Sequence, residues 1–148
     1  MATSFKLETT SLVTFLSTEL NSLANGSAAL GAEFDNATNL WPFLDVLELN
    51  VTFGSNPTAG NTIDIYLVPA PDGTNYDDNQ SISSMYIGGF PLRATTSAQK
   101  VALLPGLAQV KFVLPPLKVK LRAVNNSGVA FPASGSTIKG SVSRFQAT

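Results

Sequence analysis

Carboxylates are the only abundant side chains in this chain with the chemistry for acid–base catalysis. The 148 residues include ten Asp and Glu but no His and no Cys. Two carboxylates can serve as the acid and base of a glycosidase, but a single sequence does not show which carboxylates lie close together. Without His or Cys there can be no Ser-His-Asp or Cys-His nucleophilic site. We therefore predict a protein that is not an enzyme and that uses no cofactor.

The densest polar cluster runs from Asp72 to Asn79 and reads DGTNYDDN. Calcium takes about six to eight oxygen ligands, which such a loop could supply. However, the spacing differs from that of an EF-hand loop, and no Glu follows at the position of the bidentate ligand. Asp72-Gly73 is a common turn dipeptide. We favour a surface loop of turn-forming residues and predict no metal site.

Three bases, Lys118, Lys120 and Arg122, occupy alternate positions in the last third of the chain. No aromatic residues alternate with them, and the pI is about 5.2, whereas nucleic-acid-binding domains are usually basic. We therefore expect no nucleic-acid partner. Two interpretations stay open. The row is either a solvated strand face that discourages aggregation at a sheet edge, or a contact surface for a protein partner.

Aromatic side chains offer a second kind of contact. Trp41, Tyr66, Tyr76 and Tyr86 could form a platform on which the apolar faces of sugars stack. Trp41 lies in the segment NLWPF, directly before a strong strand pattern, so closure of the core is the other interpretation for it. Together with the three bases, Trp41, Tyr66 and Tyr76 are the candidate contacts with a partner or with a second copy.

The charges divide along the chain. All ten acidic residues lie between Glu8 and Asp78, and Lys6 is the only base up to residue 78. The net charge is therefore −9 up to residue 78 (1 basic, 10 acidic) and +8 after it (8 basic, 0 acidic). We favour acidic strands of the first part lying beside basic strands of the second. The alternative is a bipolar surface that promotes docking between copies or onto a charged partner.

Apolar and polar residues alternate through most of the chain after residue 43. Seven runs separated by turn signals predict strands at residues 44–53, 62–68, 85–90, 98–104, 109–114, 117–124 and 138–145. In the second run, Ile63, Ile65 and Leu67 are predicted to point inward and Val68 outward. Strands with one buried and one wet face are typical of antiparallel sheets. The pattern predicts an all-β fold, an antiparallel two-sheet β-sandwich that is jelly-roll-like.

The N-terminal region contains the only helix candidate, within residues 11–25. Leu12, Leu16, Leu20 and Leu23 recur at helical spacing. Several Ser and Thr residues in the run compete for backbone hydrogen bonds and weaken a helix. A short helix and an ordered arm therefore remain alternatives.

The length suits one domain. We predict a single domain over residues 1–148, with the arm or short helix at residues 1–26 and the sandwich at residues 27–148. No apolar run approaches the roughly 20 residues that cross a bilayer, and the N-terminus does not resemble a secretory signal. We therefore expect no membrane partner.

Five segments resemble, in order, those of a group of small virion proteins of tailed bacteriophages. They are NSLANG at residues 21–26, FDNATNL at 34–40, IYLVPAPDGTNY at 65–76, PPLKVKL at 115–121 and NSG at 126–128. The resemblance spans most of the chain and consists of turn and strand motifs. The group includes capsid decoration or cement proteins and head-fibre components.

This resemblance implies a structural virion protein that binds the major capsid protein on the outer capsid surface and stabilises the assembled shell. It also implies synthesis in the host cytoplasm and a homo-oligomer, expected to be a trimer. The resemblance assigns a functional role to no residue of this chain, because the group has no defined binding or catalytic site. The alternative function is a carbohydrate-binding β-sandwich module on a virion or host-contact surface, suggested by the tyrosines.

Overall fold

A computed structural model describes residues 4–77, 85–105 and 112–147. In this part of the chain, eleven strands form two antiparallel sheets packed against each other, which confirms the predicted two-sheet β-sandwich. The strands are β1 Phe5–Thr9, β2 Val13–Leu16, β3 Ala28–Leu30, β4 Phe34–Asp35, β5 Phe43–Val51, β6 Thr62–Ala70, β7 Met85–Pro91, β8 Gln99–Leu103, β9 Phe112–Val113, β10 Lys118–Asn125 and β11 Thr137–Ala147. The helical elements are a 3-10 turn, Thr18–Leu20, and one short helix, α1, Asn36–Asn39. No helix among the described residues is long and apolar enough to cross a membrane.

The strands are interleaved along the chain. The first sheet has the order β1-β11-β5-β8, with β2 beside β11 and β9 beside β5. The second sheet has the order β3-β10-β6-β7, with β4 beside β10. The long strand β11 pairs with β5 along one side and with β2 and then β1 along the other. The N-terminal segment is therefore built into the first sheet.

The core lies between the two sheets and follows the alternation of the strands, because successive side chains of a strand point to opposite faces. Side chains that are at most 1% exposed include Leu47, Leu49, Ile63, Ile65, Leu67, Val119 and Leu121. The predicted inward positions of β6 are thus correct. Val68 was predicted to point into solvent, but it is fully buried. The chain after β6 folds back along this strand, where Asp77 donates its backbone N–H to the Pro69 carbonyl at 3.2 Å.

Of the two alternatives left open within residues 11–25, a short helix and an ordered arm, the helix with the leucines on one face does not form. This segment instead forms β2 and the 3-10 turn Thr18–Leu20. Leu16 and Leu20 are buried while Leu12 is 44% exposed, so the leucines do not share one helical face. Pairing with β11 supplies the backbone hydrogen bonds of β2, and the Ser and Thr residues of the run do not oppose a strand as they oppose a helix.

Among the residues that the structure describes, three ion pairs join the acidic first part of the chain to the basic second part. They are Glu8–Arg144 with N···O 2.8 Å, Glu33–Lys118 at 3.2 Å and Glu48–Lys100 at 3.3 Å. Glu8 and Arg144 stand directly opposite each other in the β1–β11 register. These pairs support neighbouring strands of opposite charge, and they weaken the case for a bipolar surface.

Candidate contact surface

Five of the six predicted contact residues share the outer face of the second sheet. β10 presents Lys118, Lys120 and Arg122 there because the residues between them point into the core. The register places Arg122 opposite Tyr66, and Tyr66 opposite Tyr86 of β7. We call this surface the aromatic–cationic face. Its residues are Glu33, Tyr66, Tyr76, Tyr86, Lys118, Lys120 and Arg122.

One half of the face is organised by Glu33. The Tyr76 hydroxyl donates a hydrogen bond to Glu33 Oε2, and Lys118 Nζ lies 3.2 Å from Glu33 Oε1. Lys120 Nζ lies 4.4 Å from the centre of the Tyr76 ring, within the range of a cation–π contact. The hydrogen bonds from Tyr76 and Lys118 lower the pKa of the Glu33 carboxyl. Burial and the hydrogen bond to Glu33 raise the pKa of the Tyr76 hydroxyl. Glu33 is therefore ionised and Tyr76 protonated at neutral pH, which holds the ring in place.

The other half of the face contains two tyrosine rings. The centres of the Tyr66 and Tyr86 rings are 5.3 Å apart, with the rings inclined by 56°. The Arg122 guanidinium carbon lies 5.9 Å from the centre of the Tyr66 ring. Asn126 donates from Nδ2 to Asp64 Oδ2 at 2.8 Å, and the Tyr86 hydroxyl makes a long contact of 3.5 Å with Asp64 Oδ1. Tyr86 remains 55% exposed, so an aromatic surface lies beside a carboxylate and an amide.

The interpretation of the bases as protection of a sheet edge is wrong. β10 lies inside the second sheet, with β3 and β4 along one side and β6 along the other. Its backbone groups are paired on both sides and need no protection from aggregation. Each base contacts an acid or a ring, as described above. The contact-surface interpretation therefore remains open for this row.

Trp41 lies apart from the tyrosines, next to the first sheet. Its side chain packs against the core, and its backbone N–H donates to Asn36 Oδ1 at 2.7 Å. The Arg144 guanidinium lies 4.4 Å from the centre of the indole ring. Trp41 therefore helps to close the core, and a platform that combines Trp41 with the tyrosines does not form.

The loop after β6 uses its first carboxylate internally. Asp72 Oδ1 accepts from the backbone N–H groups of Thr74 at 2.8 Å and Asn75 at 2.6 Å, and Asp72 Oδ2 accepts from Asn75 Nδ2 at 2.7 Å. These bonds, led by the one from the Asn75 backbone, lower the pKa of Asp72 to about 2. No cluster of three potential metal ligands occurs in the described part of the chain, and Asp78 and Asn79 lie outside it. The geometry supports the turn interpretation.

Sequence reasoning missed two acids, Glu33 on this face and Asp64 next to it. Asp64 occupies an outward position of β6, two residues before Tyr66, so the alternation of the strand already contained a signal for it. Glu33 precedes the two-residue strand β4 and belongs to no alternating run. Only the pairing of β4 with β10 brings Glu33 near Lys118.

Fold and surface together define the class: an antiparallel two-sheet β-sandwich with an open outer face of tyrosines and bases. No protein-family model matches the sequence, and no curated protein matches it. The function is therefore inferred from the aromatic–cationic face and from the resemblance of individual segments.

Proposed function

We propose that this protein is a structural virion protein that decorates the outside of a bacteriophage capsid and stabilises the assembled shell. The aromatic–cationic face is the observation that carries the proposal. It spreads its side chains over an open sheet surface, whereas small molecules bind in concave pockets. Tyr and Arg are enriched at the centres of protein–protein interfaces. The partner would be the major capsid protein, reached on the outer capsid surface after synthesis in the host cytoplasm.

The face is pre-arranged for binding. Tyr76 is held by Glu33, and Lys120 already packs on the Tyr76 ring. Arg122 lies beside the Tyr66 ring. Side chains that are ordered before binding lose less conformational entropy on association. A protein that binds only the assembled shell stabilises that shell by mass action.

Two of the five segments that resemble phage virion proteins contribute residues to this surface. Residues 65–76 form most of β6 and the turn after it, and residues 115–121 include the first half of β10. These two strands pair directly. The resemblance and the aromatic–cationic face therefore point to the same part of the molecule.

Co-sedimentation with purified, expanded capsid shells tests the proposal. We expect the wild-type protein to pellet with the shells. The double variant Tyr66→Ala/Arg122→Ala should bind at least about tenfold more weakly, because truncation of an interface hot spot costs about 2 kcal/mol or more. The matched control is Lys100→Ala, whose side chain is 70% exposed on the other sheet. Absence of wild-type binding at every salt concentration, or equal binding of the double variant, would contradict the proposal.

A carbohydrate-binding module is the second candidate, favoured by the Tyr66–Tyr86 pair beside Asp64 and Asn126. Aromatic faces suit the apolar faces of sugar rings, and a neighbouring carboxylate and amide can bond their hydroxyls. A glycan array with the wild-type protein tests this function. Binding that is lost in Tyr86→Ala and retained in Lys100→Ala would support it. An array without signal would exclude it.

A further inference from the structure

β1 is the outer strand of the first sheet. It pairs with β11 on one side, and no other strand of the described residues lies along its opposite side. Thr10, next to β1, donates its backbone N–H to the Val142 carbonyl at 2.9 Å. Hydrogen-bonded and non-hydrogen-bonded pairs alternate in an antiparallel ladder. Counting back from Thr10 by every second residue, the backbone groups of Glu8 and Lys6 are therefore the ones that form hydrogen bonds with β11. The backbone N–H and C=O groups of Phe5, Leu7 and Thr9 therefore point away from the molecule.

Exposed apolar side chains lie along the same strand pair. Phe5 is 70%, Leu7 is 45% and Phe145 is 63% exposed. Leu7 stands directly opposite Phe145 in the β1–β11 register. Val142 is fully buried, so Phe145, three residues further along the strand, points to the outer face of the first sheet. An edge strand with open backbone groups and large apolar side chains is a template for pairing with another strand.

We propose that β1 pairs antiparallel with β1 of a second copy and that this pairing joins the two first sheets into one. The charges of β1 select the register. A two-fold axis at Leu7 places Lys6 of each copy opposite Glu8 of the other. An axis at Lys6 would oppose two lysines, and an axis at Glu8 would oppose two glutamates, which is destabilising.

The self-pairing also fits the neighbouring groups. The outward-pointing backbone groups of Phe5, Leu7 and Thr9 meet their counterparts, and the two Leu7 side chains meet at the axis on the outer face. Glu8, which already pairs with Arg144, gains the partner's lysine on its other side. A two-fold contact of this kind is closed, so it produces a dimer. The proposal gives a dimer where the resemblance implies a trimer, and it requires neither a capsid nor a glycan.

Sedimentation equilibrium of the wild-type chain and of charge variants tests the pairing. The wild-type protein should show twice the chain mass of 15.5 kDa. Lys6→Glu alone and Glu8→Lys alone should each weaken the dimer at least about tenfold, because each opposes like charges. An equimolar mixture of these two variants should restore the dimer, since each charge then faces its opposite.

Arg93→Glu is the matched control for the charge change, because Arg93 is exposed in the loop after β7; it should leave the dimer unchanged. Circular dichroism verifies that each variant is folded. Should Glu8→Lys fail to fold without its Arg144 partner, Lys6→Glu and the milder Lys6→Gln form a graded series that tests the same contact. Three results would overturn the inference. The first is a wild-type protein that sediments with the mass of one chain at about 1 mM protein, and the second is a wild-type mass of three chains. The third is a dimer whose stability is unchanged by Lys6→Glu.

Discussion

Replacement of Asn125 by Ala should be among the most damaging single changes to the stability of this protein. Asn125 is fully buried at the end of β10. Its Nδ2 donates to the carbonyls of Leu23 at 2.9 Å and Val129 at 2.8 Å, and its Oδ1 accepts from the backbone N–H of Ser127 at 3.0 Å. One amide thereby ties the N-terminal segment to β10 and to the turn that follows.

The magnitude follows from the partners that Asn125→Ala leaves behind. The Leu23 carbonyl still accepts from the backbone of Phe131, and the Val129 carbonyl still accepts from the Ser127 hydroxyl. The buried Ser127 N–H loses its acceptor. Two lost hydrogen bonds of about 1 kcal/mol each and one unsatisfied N–H of about 1–3 kcal/mol give a loss of about 3–5 kcal/mol in the free energy of unfolding.

Urea unfolding followed by the fluorescence of Trp41, the only tryptophan, measures this loss. Asn126→Ala is the matched control, because Asn126 is exposed and makes one bond to Asp64; it should cost less than about 1 kcal/mol. Asn125→Asp should be more destabilised at pH 7 than at pH 4, since its carboxylate would face two carbonyl oxygens in a buried site. A loss below about 1.5 kcal/mol for Asn125→Ala, with an unchanged urea dependence, would refute the reasoning.

Three further outcomes are expected. Gly31→Ala should destabilise the fold by about 1–3 kcal/mol or more, because an added Cβ would lie 2.2 Å from the Phe15 carbonyl oxygen. The control is Gly54→Ala, because the space around its Cβ is open. Equal stability of the two variants would contradict the close approach of Gly31 to Phe15. Leu121→Ala should cost about 2–5 kcal/mol in urea unfolding, since Leu121 is 1% exposed; a cost below about 1 kcal/mol would show that the site is not packed. The pKa of the Asp72 carboxyl is lowered to about 2 from 3.8. Its ionised form should therefore stabilise the loop above about pH 4, and this stabilisation should be lost as the pH falls through about 2. An NMR titration of Asp72 with a midpoint near 3.8 would contradict the hydrogen-bonded turn.

The outward and inward positions of the long strands could be predicted because they depend on local backbone geometry. Lys118, Lys120 and Arg122 alternate with core residues, and the structure places all three on one face. Tyr66 follows from the same alternation in β6. The burial of Val68 could not be predicted in this way. It depends on the chain beyond β6 folding back over the outer face of that strand, and an alternating pattern contains no information about such a contact.

The helical alternative for residues 11–25 shows the converse limitation. The spacing of the leucines is compatible with a helix, but β11 lies alongside and offers a ladder of backbone partners. Residues 11–25 have only a weak intrinsic preference for helix or strand. Their structure was decided by pairing with residues more than 100 positions away in the chain. The interpretation of the bases as edge protection, one of the two left open, is wrong for a similar reason, because only the order of the strands places β10 inside its sheet.

The sequence by itself determined the all-β class, the two-sheet sandwich and the alternation of side chains between the two faces of β6 and β10, because the direction of a side chain along a strand is set by the backbone at that residue. The tertiary structure alone decided which strands are neighbours. It brought Glu33 to Tyr76, placed Trp41 against Arg144 and left β1 at an edge. Such contacts join residues that are distant along the chain, as Glu8 and Arg144 are, and no local pattern encodes them.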